Sequence, residues 1–293
     1  MYGECHAHII MDGKNYKEAV SLHKNGVRDA VIHAHFRQYQ DAGITFVRDG
    51  GDALGVSARA RELAPLYGID YRTPVFAIHK NGYYGGIVGR GFDTVEEYKA
   101  LVSQVSRAHG DFIKIMASGI LDFDEFGKVS TPLRDAPLIH DMVSIAHEEG
   151  FAVMVHVNTA PQIRMALEAG CDSIEHGYYM DEDCRSLFAE TGAVWVPTLA
   201  TCGNLRGCGR FQEEAVNRIT DCHMENVRLA LEKGVSIAAG SDAGAYRVFH
   251  GTGLLDEVRL LKEACRGEEA LIRKLEETLE KSQETIQRKF CRK

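Results

Sequence analysis

His6 and His8 stand one residue apart on a short apolar stretch ending in Ile9 and Ile10, and on a β-strand residues two apart point to the same face. Further side chains of metal-site type follow at the ends of later strand-like runs: Lys114, His156, His176 and Asp242. Several imidazoles and a carboxylate suit a borderline divalent ion such as zinc, whose bound water loses a proton near neutral pH and becomes a nucleophile. Lysine is the odd member, because an ammonium cannot ligate a cation. Burial beside metal ions pushes it toward the neutral amine. A neutral amine adds carbon dioxide to give a carbamate, with two oxygens able to bridge two ions. The ordered set predicts metal-dependent hydrolysis.

Positioning these groups requires strands that end near one another. Strand-like runs fall at Glu4–Ile9, Thr45–Asp49, Tyr71–Ile78, Phe112–Met116, Ala152–His156, Ser173–His176, Val194–Thr198 and Ser236–Ala239, eight in all. Between them lie helical patterns over Ala30–Ala42, Ala53–Leu66, Val95–Ala108, Leu138–Glu149, Ala160–Ala169, Asp183–Glu190, Glu213–Glu232 and Leu254–Ala264. Gly43, Gly68, Gly110, Gly150, Gly170, Gly192 and Gly234 sit where a helix would stop and turn. Regular alternation implies a parallel sheet with crossover helices, and eight repeats can close it into a barrel. A doubly wound sheet is the alternative. It gathers its site at one switch point, whereas here the ligand types recur after several separate strands.

Composition agrees with an enzyme. The 293 residues, 45% hydrophobic and 26% charged, are enough to bury a large core. A formal charge of −8 without a basic cluster argues against a nucleic-acid partner, and no apolar run is long enough to cross a membrane. Eight cysteines are scattered without short paired spacing, and nothing resembling a signal peptide precedes them, so reduced thiols and a cytoplasmic location are expected.

The stretch Phe112-Ile113-Lys114-Ile115-Met116-Ala117-Ser118-Gly119 resembles the strand-four signature of the amidohydrolase superfamily, in its prolidase-like and imidazolonepropionase-like branch. His6-Ala7-His8, Val155-His156-Val157-Asn158-Thr159, Ser173-Ile174-Glu175-His176-Gly177 and Ala239-Gly240-Ser241-Asp242-Ala243-Gly244 resemble the remaining signatures, in the expected order. The resemblance implies a distorted (β/α)8 TIM barrel with two divalent metals, zinc being the favoured ion, bridged by carboxylated Lys114. It implies that His6, His8 and Asp242 hold the more buried ion, that His156 and His176 hold the more exposed one, and that a shared hydroxide attacks the substrate. Asp242 is then the catalytic proton shuttle.

A second pair, His33 and His35, has the same spacing but lies in a helical pattern, where residues two apart diverge. It is read as surface or packing. His79, Tyr83 and Tyr84 belong to a glycine-rich segment, 79–86, that suits a loop over a pocket. Tyr178, Arg206, Tyr246 and His250 fall in later strand-end segments. These seven are the expected substrate contacts, with Arg210 and Arg247 nearby as further candidates for a carboxylate clamp.

The expected organisation is one domain over residues 1–293, a barrel to about residue 265 and a C-terminal helix over about 266–290. That helix carries Leu271, Leu275 and Leu279 on one face and would cap the barrel or pair with another subunit in a homo-oligomer. Relatives in the branch have a small β-sandwich around the barrel. With its histidine pair at residue 6, the chain is expected to lack it. The expected substrate is a small molecule, a dipeptide or an N-acyl amino acid. Two alternatives stay open: a mononuclear deaminase or cyclic-amide or lactone hydrolase, and a catalytically silent metal-binding barrel.

Overall fold

Ten short strands form the centre of the computed structural model, which describes residues 2–292. They are β1 (Glu4–Ala7), β2 (Phe46–Asp49), β3 (Asp70–Arg72), β4 (Ala77–Lys80), β5 (Gly89–Phe92), β6 (Ile113–Met116), β7 (Val153–Thr159), β8 (Ser173–Tyr179), β9 (Val194–Val196) and β10 (Ser236–Ile237). Every pairing between them is parallel. One sheet runs β1-β2-β3 and the other β10-β9-β8-β7-β6-β4-β5. Parallel neighbours need crossovers. These are supplied chiefly by helices, among them α2 (Asp29–Asp41), α3 (Val56–Leu63), α4 (Val95–Arg107), α5 (Ala136–Glu148), α6 (Ala160–Glu168), α7 (Glu182–Thr191) and α9 (Glu213–Lys233), with shorter α1 (Tyr16–Ser21) and α8 (Ala200–Gly203) in the loops.

Backbone hydrogen bonds extend past the named strands. Cys5 N donates to Ala239 O at 3.0 Å, Asp242 N to His6 O at 2.7 Å and His8 N to Ala243 O at 2.8 Å, stitching β1 to the segment after β10. On the other side, Asp111 N donates to Thr73 O at 2.9 Å, joining the segment between β3 and β4 to the start of β6.

Two local expectations change. The run Tyr71–Ile78 is not one strand: it breaks between β3 and β4, where Pro74 lacks an N–H for the ladder and Val75 adopts φ 68°. The segment after residue 86 holds an edge strand, β5, whose sequence Gly-Arg-Gly-Phe carries little β-propensity. Gly89 is required there, since a Cβ would overlap Ala77 O on the neighbouring strand.

The main core lies between strands and helices, while a second apolar cluster gathers Cys5, Phe46, Phe112, Met154, Val194, Val196 and Ala238 near the N-terminal ends of the strands. Ile286 and Phe290 complete that cluster. They come from the end of α11 (Glu269–Lys289), which follows α10 (Thr252–Ala264) and buries Leu271, Leu275, Leu279 and Ile286. The C-terminal helix therefore covers the strand end opposite to the histidines. Among the described residues, no helix is long and apolar enough to cross a membrane.

Candidate metal centre

The first and last strand ends meet at Lys114. Its Nζ lies 3.3 Å from His6 Nε2 and 3.2 Å from His8 Nε2. Asp242 Oδ1 stands 3.6 Å and 3.7 Å from the same two nitrogens. His6, His8 and Asp242 each present one ligand atom, all within 4.8 Å of one another. Rings from β7 and β8 close the group: His156 and His176 are 4.5 Å apart by ring centroids, and His6 and His176 are 4.9 Å apart. All six side chains named from the sequence are thus brought to one place, with Lys114 only 1% exposed.

The backbone is shaped for this convergence. Asp242 and His176 adopt φ 60° and φ 68°, a region that non-glycine residues seldom enter without a local reason. At His176 the turn lets two consecutive residues of one strand, Glu175 and His176, both reach the cluster. Gly50, just past β2, is bare by necessity, because a Cβ would overlap His8 Cε1 and Lys114 Nζ.

Three of the four imidazoles are tied down by one nitrogen. His6 Nδ1 donates to Glu175 Oε2 at 2.6 Å, and His156 Nε2 donates to Gly119 O at 3.1 Å. His176 Nδ1 is paired with Thr198 Oγ1 at 2.8 Å. Each pairing leaves the opposite nitrogen available as a ligand and fixes the plane of the ring, the arrangement that metal-binding histidines require. Asp242 Oδ1 is buried with no hydrogen-bond partner. An ionised oxygen left this way is costly unless a cation completes it. The donor set fits divalent metals.

Burial governs the protonation states. It holds His6, His8 and His176 well below the usual imidazole range and His156 down to about 3, with the Lys114 charge adding to the effect at each. Neutral imidazole is the ligating form. Burial likewise lowers Lys114 to about 8, against the pull of Asp242, so part of the population is free amine near neutral pH. Asp242 is raised to about 6 by burial, against the opposing Lys114 charge.

The substrate candidates separate. Tyr84 lies beside the centre, its ring 5.3 Å from His156. His79 belongs to β4 rather than to the expected loop and is buried, with Nδ1 facing Lys80 O at 3.1 Å, and Tyr83 is exposed. The others point elsewhere. Tyr178 stacks on His223 with centroids 4.0 Å apart, and its hydroxyl donates to Thr198 O. Arg206 pairs with Asp221, and Tyr246 lies under the Arg210 guanidinium, 4.3 Å away. His250 uses both ring nitrogens structurally, facing Tyr39 Oη at 2.9 Å and Met11 O at 2.8 Å. Arg247 is exposed.

Sequence reasoning passed over Gly50, Arg48, Glu175 and Thr198. Glu175 left a signal, since an acidic residue next to the predicted ligand His176, in a run expected to be a central strand, needs a buried partner. Gly50 and Thr198 left none.

Comparisons with known proteins give the family and the fold. The sequence profile of the Amidohydrolase family matches residues 5–276. An uncharacterized protein of Mycobacterium tuberculosis is 30% identical over 170 residues, which cover 56% of this chain and 44% of that protein. Ochratoxinase of Aspergillus niger is 29% identical over 170 residues, covering 55% of this chain and 34% of that enzyme. The chain thus matches less than half the length of these relatives. Among solved structures, a Xaa-Pro dipeptidase with methionine in its active site superposes with a TM-score of 0.71 at 24% identity, covering 92% of this chain and 71% of that one. A. niger ochratoxinase superposes with a TM-score of 0.73 at 21% identity, covering 93% and 68%. Molinate hydrolase superposes with a TM-score of 0.74 at 15% identity, covering 99% and 73%. At these identities the superpositions speak for the fold alone, and the profile match over nearly the whole chain carries the assignment: this protein belongs to the amidohydrolase family.

Proposed function

We propose that this chain is a binuclear metal-dependent hydrolase built on a (β/α)8 barrel, a single domain extended by α11, and that it cleaves an amide-type bond in a dipeptide or N-acyl amino acid. The observation carrying the reading is the convergence of His6 Nε2, His8 Nε2 and Asp242 Oδ1 around the Lys114 amine, with the rings of His156 and His176 alongside. His6, His8 and Asp242 would hold one ion, and His156 and His176 a second. Lys114, carboxylated on its free-amine form, would bridge them. Zinc suits the nitrogen-rich donor set. Bound metal supplies an acidified water and a polarised scissile carbonyl.

The remaining chemistry belongs to the protein. Asp242 takes up the proton released on attack and returns it to the leaving amine, a role open to a carboxylate whose Oδ1 faces the centre without a protein partner. Glu175, Gly119 and Thr198 keep the His6, His156 and His176 rings aimed. Tyr84 walls the substrate side against His156 and excludes water from it. The amide-type substrate class is favoured by the prolidase-like signatures around Lys114 and His176 and by the Xaa-Pro dipeptidase among the structural relatives.

A mononuclear reading has one observation in its favour: among the described residues, the tight ligand trio is His6, His8 and Asp242 alone. Metal content separates the two. Protein loaded with zinc in the presence of bicarbonate is expected to retain two ions per chain, and one would favour the mononuclear deaminase or lactonase alternative. A screen of the loaded protein against dipeptides, N-acyl amino acids and lactones tests the substrate class, and hydrolysis of lactones alone would overturn the amide assignment.

A further inference from the structure

Arg48 is a fully buried arginine in β2, 0% exposed, and nothing in the proposed chemistry uses it. Each nitrogen of its guanidinium nevertheless has a partner. Nε donates to Cys5 O at 2.7 Å, one residue before His6, and Nη1 donates to Ser173 Oγ at 2.9 Å. Nη2 donates to Glu175 Oε1 at 2.8 Å. Ser173 Oγ in turn donates to the same Glu175 oxygen at 2.6 Å. The other carboxylate oxygen, Oε2, accepts from His6 Nδ1 at 2.6 Å. One face of the guanidinium lies over the Phe290 ring, 4.5 Å from its centroid, with Phe112 at 5.9 Å. Phe290 is itself fully buried just beyond the end of α11.

These contacts form an unbroken path: the C-terminal helix, Phe290, Arg48, Glu175, His6. A planar guanidinium with three fixed hydrogen bonds and an aromatic platform has little freedom to turn. It holds Glu175 in one position, and that carboxylate can accept from His6 only when Nδ1 carries the proton. The lone pair is then on Nε2, the nitrogen that faces Lys114, His8 and Asp242.

We propose that Phe290, Arg48 and Glu175 are positioning residues for the metal centre: the C-terminal helix clamps Arg48 from below, and Arg48 locks Glu175 so that His6 is presented in its ligating tautomer and orientation. The proposal rests on the metal-centre reading above. It assigns α11 a part in metal binding as well as in covering the strand ends, although no residue of that helix reaches the centre. Ile286, an aliphatic member of the same apolar cluster that offers Arg48 no ring face, serves as the control.

The test is competition for zinc(II) against a chromophoric chelator, with the full-length chain and its variants checked for folding by circular dichroism. Glu175→Gln is expected to bind zinc about 10- to 100-fold more weakly than the parent, as when other carboxylate partners of ligating histidines are removed. Arg48→Met should fall in the same range. Phe290→Leu, which keeps an apolar plug but removes the aromatic face, should lose about two- to fivefold. Ile286→Val should lose nothing. A second readout needs no metal: histidine nitrogen NMR of the metal-free parent should show His6 protonated on Nδ1, and Glu175→Gln should mix the tautomers. If Arg48→Met does not fold, Phe290→Leu and Glu175→Gln decide the matter. Equal zinc affinity in parent, Glu175→Gln and Phe290→Leu overturns the support while leaving the metal centre standing. A parent that binds no zinc but keeps a single His6 tautomer overturns the metal reading and leaves the clamp as a purely structural feature, which also refutes the proposal as stated.

Discussion

Two buried histidine groups lie in this molecule, and they differ in what their nitrogens have left to offer. Around Lys114, His6, His156 and His176 each spend one ring nitrogen on a partner outside the cluster, His6 and His8 turn Nε2 to the Lys114 amine, and Asp242 Oδ1 stands unpaired among them. At the second group, His35 and His250 stack with centroids 4.1 Å apart, closer than any ring pair in the first. There, His250 is satisfied at both nitrogens by Tyr39 and Met11, and His35 Nδ1 meets Ile9 O at 3.0 Å. The spacing His-x-His occurs in both. On α2 the pair diverges, so that His33 reaches Tyr67 while His35 turns inward. At the end of β1 the pair converges on Lys114. Imidazole density alone does not mark a candidate metal site; ligand atoms turned to a common point beside an unpaired buried carboxylate oxygen do.

The hardest blow to this contrast comes from Lys114→Ala. It removes the proposed bridge from the first group and leaves the side chains of the second in place. Metal content, measured by atomic emission, is expected to fall below one ion per chain and turnover to background. A short carboxylic acid in solution should partly restore both by filling the vacated bridge. A fully active Lys114→Ala protein would end the carbamate reading and, with it, the claim that the amine is what sets the first group apart.

Asp242→Asn comes next in size. Amide and carboxylate are similar in shape, but the amide cannot carry the proton, so kcat should drop roughly 10²- to 10⁴-fold while metal content falls far less. Metal loss in proportion to lost activity would reduce Asp242 to a ligand. The corresponding change in the second group is His250→Ala. It leaves Tyr39 Oη and Met11 O unpaired beside a new cavity and should cost about 2–4 kcal/mol of stability by denaturant unfolding. Zinc content and turnover should stay at the parent level. A folded His250→Ala protein that lost turnover would place His250 in the catalytic site and dissolve the distinction between the groups.

How much of this was legible depended on how far each partner lies in sequence. The six ligand-type residues could be read because each sits in a short local pattern at a strand end, and alternating strands and helices forced those ends together. The helix over 269–289 could be read from Leu271, Leu275 and Leu279. Arg48 could not: it sits beside Asp49 in the four-residue strand Phe-Val-Arg-Asp, and nothing local pointed to a partner 127 residues away. Gly50 resembled any turn glycine until His8 and Lys114 were placed against it. The break at Pro74 was visible in the sequence, yet the hydrophobic run across Tyr71–Ile78 outweighed it. Tyr178 and His250 were drawn into the substrate list by their nearness to His176 and Asp242 in the chain, and the turns that follow those two residues carry them into the packing instead.

The smallest expected effect separates the groups by pH. Burial lowers His35 to about 4, the contact with Ile9 O and the charge of Asp12 opposing it. In the unfolded chain the same imidazole titrates near its ordinary value of 6.5. Between those two values the unfolded state binds more protons than the folded state, so stability rises with pH across the window and is lost on acidification. The loss assignable to His35 reaches roughly 3 kcal/mol at most. His35→Gln abolishes that titration. The variant should be less stable than the parent at pH 7, because its packing against His250 is altered, but the two unfolding curves should draw together as the metal-free proteins are taken from pH 6.5 to 4. Zinc should leave the gap at pH 7 unchanged, since it stabilises both proteins through the other group. A gap that stays constant down to pH 4 would show that His35 titrates alike in folded and unfolded chains. One that widens with zinc would show that the second group feels the first, and that the two histidine regions act as a single site.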